Sequence, residues 1–172
     1  MTAQPEGRVF AAGEVEDAPL HVVLVEPEIP PNTGNIARLC AATGCALHLV
    51  EPLGFRIDDR ALKRAGLDYW HAVRIVVHAS LDAFLATFPV ERCWLVETTG
   101  AMPYAKAPFA RGDALVFGKE TGALPQALLD AHPARTLRIP MRGDAVRSIN
   151  LSTAAGIVTY AALAALDFPD LT

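Results

Sequence analysis

Three stretches of the chain gather the side chains that can do chemistry: Pro27 to Arg38, Phe117 to Pro125, and Ile139 to Ser152. The first carries Asn32 and Arg38, the second Lys119 and Glu120, and the third Arg142, Asp144, Arg147, Ser148 and Asn150. What the three lack narrows the possibilities. Gly112 and Gly118 have five residues between them and Glu120 follows Lys119, so the G-x-x-x-x-G-K-[ST] phosphate loop fails twice. No G-x-G-x-x-G follows the first predicted strand, and no serine sits in a G-x-S-x-G elbow. The histidines are scattered without HExxH or Cys/His spacing, so no metal site is expected. What remains is chemistry by positioning and fixed charge, from guanidinium, carboxylate and carboxamide groups among Gly- and Pro-rich main chain. Taken singly, each has a plain structural role. Asn32 can cap a helix, Arg38 can lie on a helix surface, Glu120 can balance Lys119 or Arg38, and Asn150 with Ser148 can cap the last helix.

The elements that must position these groups alternate strand and helix. His21-Val-Val-Leu-Val25 is a continuous apolar run, as expected of a strand buried on both faces. Pro27, Pro30 and Pro31 predict an extended loop, with Asn32 or Thr33 capping a helix over Gly34 to Thr43 that Gly44 ends. Further strands are predicted over Ala46 to Val50, Val73 to His78, Arg92 to Val96, Ala114 to Phe117 and Thr136 to Ile139. Between them come a short helix over Asp58 to Ala65, one capped by Ser80, and one with Pro125 at its first position. Such alternation specifies an α/β fold with a parallel sheet and helices on both faces. Ligands in such sheets bind beyond the carboxyl ends of the strands, here Glu26, Glu97, Gly118 and Ile139. Each leads into one of the chemically active loops or a similar Gly-, Pro- or Asn-bearing segment.

The last helix organises the rest. No formal charge lies between Arg147 and Asp167, so it is apolar nearly all round and predicts burial on most faces. Only Ala154 to Leu166 is uniformly apolar, which is too short to span a bilayer. A chain this small can hardly cover such a helix alone, so it is expected to serve both the core and a subunit contact, with the polar loop beside a site shared between subunits. At 172 residues, 52% of them hydrophobic, the chain is one globular domain over 20–172, preceded by a mobile tail over 1–19. A net charge of −4 excludes nucleic-acid binding by bulk electrostatics but leaves room for a local basic patch. With three cysteines lacking CxxC pairing and no secretory leader read at the start, reduced thiols and a cytoplasmic location are expected.

Together the three loops carry a resemblance. EPEIPPNTGNIARLCAATG (26–44), LVFGKETGALP (115–125) and RIPM…RSINLS (138–152) resemble, in order and spacing, the three motifs of SPOUT methyltransferases. The similarity is nearest to the small tRNA 2′-O-methyltransferases of TrmL (YibK) type, and LVEPLGF with KRAGLDYW (63–70) extends it over nearly everything after the tail. The resemblance implies a single-domain SPOUT fold with a deep C-terminal trefoil knot and a homodimer, and the short apolar run of the last helix predicts no membrane association. It implies S-adenosylmethionine as methyl donor and methylation of the ribose 2′-hydroxyl of the wobble nucleotide, cytidine or uridine 34, in leucine tRNAs. Ribosomal RNA is the alternative substrate, and a non-catalytic RNA-binding protein the alternative class.

Carried over by position, Arg38, Asn32, Glu120 and Asn150 fall on the family's catalytic polar residues. Glu97, Gly118, Ile139 and Ser148 fall where the family contacts the donor, mostly through main chain. The residue chemistry is compatible: methyl transfer from a sulfonium depends on alignment, and Arg38 can stabilise negative charge developing on the 2′-oxygen, with Glu120 orienting the guanidinium. RNA phosphates can be met by Arg142 and Arg147 and by Arg56, Arg60, Lys63 and Arg64, although Asp58 and Asp59 make that second group read equally as a solvated face. Tyr69 and Trp70 can stack on a base or serve as core or dimer contacts.

Overall fold

A computed structural model describes residues 9–57 and 67–172. Its strands are β1 (His21–Val25), β2 (Ala46–Val50), β3 (Ile75–His78), β4 (Cys93–Val96), β5 (Met102–Pro103), β6 (Ala114–Phe117) and β7 (Thr136–Arg138). They form one sheet in the order β3-β2-β1-β6-β4-β7-β5, and every pairing among them is parallel. The helices are α1 (Pro30–Thr43), α2 (Leu81–Thr87), α3 (Gln126–Ala131) and α4 (Leu151–Ala165).

The strands are apolar on both sides because both sides are covered. Val22, Leu24, Leu47, Leu115 and Leu137 face Ile36 and Cys40 of α1 and Val158 and Leu163 of α4. Val23, Val25, Leu95 and Val116 face Phe84 of α2, Phe88 just past its end, and Leu129 of α3. Each fully buried Val, Leu or Phe contributes roughly 1.5–3 kcal/mol, so these two layers hold the sheet and fix the positions of its strand ends. Helices α1 and α4 lie against one another on the same face. In α4 the buried positions are Ala155, Val158, Thr159, Ala162 and Leu163, while Tyr160 is 46% exposed. Burial on most faces is therefore not reached within one chain.

Several boundaries differ from those expected. Helix α1 starts at Pro30 instead of Gly34, with both prolines at its first positions, and Asn32 lies inside it without capping it. Proline is tolerated there because the first N–H groups of a helix have no intrahelical partner. Gly44 does end α1, at φ +71. Strand β3 begins at Ile75, β4 at Cys93, and β7 stops at Arg138; Pro125 precedes α3 as its cap residue. Strand β5, two residues long, was not foreseen; at the sheet edge its Pro103 leaves no ladder partner unpaired. Ser80 caps α2 by accepting from the Ala83 amide at 3.0 Å. The helix expected over 58–65 lies outside the described residues.

From Val9 onward the segment expected to be a mobile tail is packed. Val9 bridges to Ile75, and Val15 and Ala18 are buried against Ala46 and Val76. On the α2 face, three histidines from adjacent strands form a hydrogen-bonded row. His21 Nδ1 meets His48 Nε2 at 2.9 Å, and His48 Nδ1 meets His78 Nε2 at 2.9 Å, under the rings of Phe84 and Phe88. Burial depresses all three, His21 to about 4 and His48 well below its ordinary value. The row is therefore neutral. Among the described residues no helix is long and apolar enough to cross a membrane.

Candidate active site

The carboxyl ends of β4, β6 and β7 open onto a cleft of about 300 Å³ that also meets the first turns of α1 and α4. Its floor is apolar, from Val96, Phe117, Ile139, Met141 and Leu151, and its polar groups include Glu97, Lys119, Glu120, Asn32, Ser148 and Asn150. Two carboxylates against one ammonium make this a site for a neutral or cationic ligand in preference to a phosphate.

One chain of hydrogen bonds closes the cleft. Glu120 Oε2 accepts from the Glu28 amide at 2.8 Å, and Oε1 accepts from the Ile29 amide at 3.1 Å and from Asn32 Nδ2 at 3.2 Å. Asn150 Nδ2 donates to Asn32 Oδ1 at 3.0 Å, and Asn150 Oδ1 accepts from the Ser152 and Thr153 amides that open α4. The carboxylate thus supplies from the β6 loop the cap that no residue of the α1 segment provides. A negative group also suits a helix N-terminus electrostatically. Because Glu120 can only accept, Asn32 must turn its amide nitrogen to Glu120 and its oxygen to Asn150, which locks both carboxamides. Asn32 is buried with both its carboxamide nitrogen and its oxygen paired, so removing either partner strands a polar atom.

The β6 loop is held from the other side as well. Glu97 Oε1 accepts from the Leu124 amide at 2.6 Å. Burial raises the Glu97 carboxyl above its ordinary value, opposed by the Leu124 and Thr98 amides. Gly118 allows the loop to fold back this tightly, since a Cβ there would lie 3.0 Å from the Leu124 nitrogen. Lys119 reaches Glu26 at 3.4 Å, a residue held at φ 52 just past the end of β1.

The structure brings Asn32, Glu120, Asn150, Glu97, Gly118, Ile139 and Ser148 together around this cleft. Arg38 is not there. It is exposed on α1, its guanidinium 5.0 Å from the Tyr69 ring centroid, and the expected Glu120–Arg38 contact is replaced by the amide contacts of Glu120. Six positions beyond Asn32 on a helix is about 240° of rotation, which turns Arg38 away from the cleft. Arg142 and Arg147 are exposed on the loop before α4, Arg142 meeting Asp144 at 3.3 Å, and Arg56 is exposed after β2. Arg60, Lys63, Arg64 and the Trp70 side chain lie outside the described residues. Sequence reasoning missed Val96, Met141 and Ile149 as cleft-lining groups; adjacency to strand ends already named was the signal that could have found them. Among the described residues no group of three or more His, Cys, Asp or Glu is placed to hold a metal ion.

A parallel α/β sheet with its cleft at the strand ends, bounded by two helix N-termini, defines a ligand-binding α/β protein whose site is built from main chain and amides. The model of the SpoU rRNA methylase family matches residues 19–160, and the chain belongs to that family. A tRNA (cytidine(34)-2′-O)-methyltransferase of Saccharophagus degradans is 50% identical over 149 residues, spanning 86% of this chain and 96% of the relative. A solved structure described as giving insight into 2-OH methylation of C/U34 on tRNA superposes with TM-score 0.81 at 46% identity, covering 86% of this chain and 96% of that one. An AdoMet-bound rRNA methyltransferase from Sinorhizobium meliloti superposes with TM-score 0.75 at 25% identity, covering 88% of this chain and 60% of that one.

Proposed function

We propose that this protein transfers a methyl group from S-adenosylmethionine to the ribose 2′-hydroxyl of the wobble nucleotide, position 34, of tRNA. What carries the reading is 50% identity, over nearly its whole length, to a relative bearing that activity in its name, in a chain whose strand-end cleft gathers Asn32, Glu97, Gly118, Glu120, Ile139, Ser148 and Asn150. The donor supplies an electrophilic methyl on a sulfonium. The cleft suits such a molecule: apolar walls at Val96, Phe117 and Ile139 for a base, main chain at Glu97, Gly118 and Ile139 for hydroxyls, and carboxylates in place of cations. Ser148 stands at the same mouth. Glu120, Asn32 and Asn150 hold the loops in place before substrate arrives, which is how positioning lowers a barrier.

Arg38 is then the group that stabilises charge on the 2′-oxygen, donating to it while a phosphate or water takes the proton. A guanidinium keeps its proton in proteins and cannot serve as the base. Because Arg38 faces away from the cleft of its own chain, the reading includes a homodimer in which Arg38 of one protomer serves the cleft of its partner. The exposed Ile29, Val146 and Tyr160 support such a contact. Arg56, Arg60, Lys63, Arg64, Arg142 and Arg147 are the phosphate contacts. Leucine tRNAs as the substrates, a cytoplasmic location, and a trefoil knot at the third motif complete the reading; these rest on the resemblance of the motifs.

The deciding experiment is mass-spectrometric mapping of 2′-O-methyl groups after incubating the purified protein with donor and bulk unmodified tRNA or ribosomal RNA. One methyl at position 34 of tRNA is expected. Methylation of ribosomal RNA instead, or none at all, overturns the proposal.

A further inference from the structure

Glu97 sits where the end of β4 separates two hollows. One is the cleft already described; the other, of about 260 Å³, is bounded by Gly100, Gln126, Asp130 and Thr136. Its backbone is rigid, because Glu97 donates its amide to Leu137 at 2.9 Å and accepts from the Gly100 amide at 3.1 Å. From that fixed base the carboxylate reaches across to the Leu124 amide at 2.6 Å. The Leu124 side chain is 2% exposed and packed in the core under α2 and α3, so the far end of the loop is anchored. Between the two anchors runs the segment Gly118 to Ala123, which forms one wall of the cleft, and a Cβ on Gly118 would lie 3.4 Å from Glu97 Oε1. The carboxylate therefore fills the gap between two strand ends and sets how far apart they stand.

We propose that the Glu97 side chain is a positioning residue for the methyl donor, bracing the Gly118–Leu124 loop in the conformation that shapes the donor cleft. This rests on the reading that the donor binds there. It acts through an accepted hydrogen bond from the main chain and not by charge contact with the donor, so an uncharged acceptor of the same shape must substitute for it.

The test uses the full chain as wild type, Glu97→Gln, Glu97→Leu and Glu97→Ala. Amide hydrogen exchange at Leu124 reads the brace itself without any ligand. Exchange is expected to be slow in wild type and Glu97→Gln and at least about tenfold faster in Glu97→Leu and Glu97→Ala, the scale of one hydrogen bond to a charged group. Calorimetric titration with S-adenosylhomocysteine, and separately with S-adenosylmethionine, reads the consequence. Affinity should fall roughly tenfold in the Leu and Ala variants and stay within about threefold of wild type in Glu97→Gln. Leu124 exchange unchanged in Glu97→Leu and Glu97→Ala overturns the brace. A Glu97→Gln variant that keeps slow exchange but binds S-adenosylmethionine as weakly as Glu97→Leu overturns the positioning role in favour of direct charge contact. Failure of the wild type to bind either ligand, with the exchange pattern intact, removes the donor-site reading and the consequence drawn for the donor while leaving the brace standing.

Discussion

Asn32 and Asn150 show how much a single amide can be asked to do. Each holds a helix start and a loop at once, using both the nitrogen and the oxygen of its carboxamide. Asn150→Ala removes the cap of α4 and leaves the buried Asn32 oxygen without its donor. The expected cost is about 2 kcal/mol, on the order of 4–8 °C in Tm, read by thermal melting. Arg38→Ala should leave folding and donor affinity intact while lowering single-turnover methylation roughly a hundredfold or more, the scale of losing one donor to a developing oxyanion. Arg38→Lys should keep part of the rate, since the charge survives and the fork geometry does not. Wild-type turnover in Arg38→Ala would return the residue to its visible contact with Tyr69. The polar residues of the site were legible as a set because they stand at strand ends. Their partners were not. Nothing in the local sequence says that Glu120 caps α1, because Pro30 and Pro31 hide the missing local cap behind a permissible start.

At the scale of elements, β1, β2 and β6 could be read to the residue because each is an unbroken apolar run between turn residues. Strand β5, with two residues and a proline, has no periodicity to read. The final helix was identified as partly unpartnered, but which of its faces remains open needed the packing. Val158 is fully buried in its own chain, so Val158→Asp should unfold the protein outright. Tyr160→Asp, on the open face, should leave the fold intact and, if the helix is a subunit contact, dissociate it; sedimentation combined with circular dichroism separates the two variants.

The histidine row on β1, β2 and β3 adds a pH dependence. Its members are neutral when folded and ordinary histidines when unfolded, so their stabilisation is complete above about pH 6.5 and is lost as pH falls toward 4. For His21 alone this is roughly 3 kcal/mol. Arg92, Arg74 and Asp17 bear on the same end of the row. Asp17, lowered by Arg74, loses its contribution only below its ordinary 3.8, and Glu97, raised by burial, acts in the opposite sense as pH rises. Urea midpoints should therefore drop between pH 6.5 and 4, and a flat profile there would remove the row from the account.

The whole molecule is acidic by −4, yet its reading requires it to hold RNA. That combination works only if a few arginines carry the contact. Replacing both Arg142 and Arg147 with Ala should weaken tRNA binding similarly for all sequences and reduce the slope of log affinity against log salt by about 1–2, with donor affinity unchanged. An unaltered slope would mean that the loop before α4 only faces solvent. The parallel sheet and the place of its cleft followed from strand–helix alternation. The strand order did not, because β6 and β7 come late in the chain and insert beside strands made long before them.

The cap on α1 has a consequence for the order in which the molecule assembles. The first turn of that helix is completed by a carboxylate about ninety positions further along the chain. A nascent N-terminal fragment ending before β6 has β2 beside β1 but lacks both the second strand that β1 pairs with and the carboxylate that binds the start of α1. Such a distant closure favours slow assembly, with the start of α1 maturing only after the chain beyond Phe117 has been laid against it. Translation therefore delivers Asn32 early, but the final orientation of its side chain waits for Glu120 and Asn150, made much later.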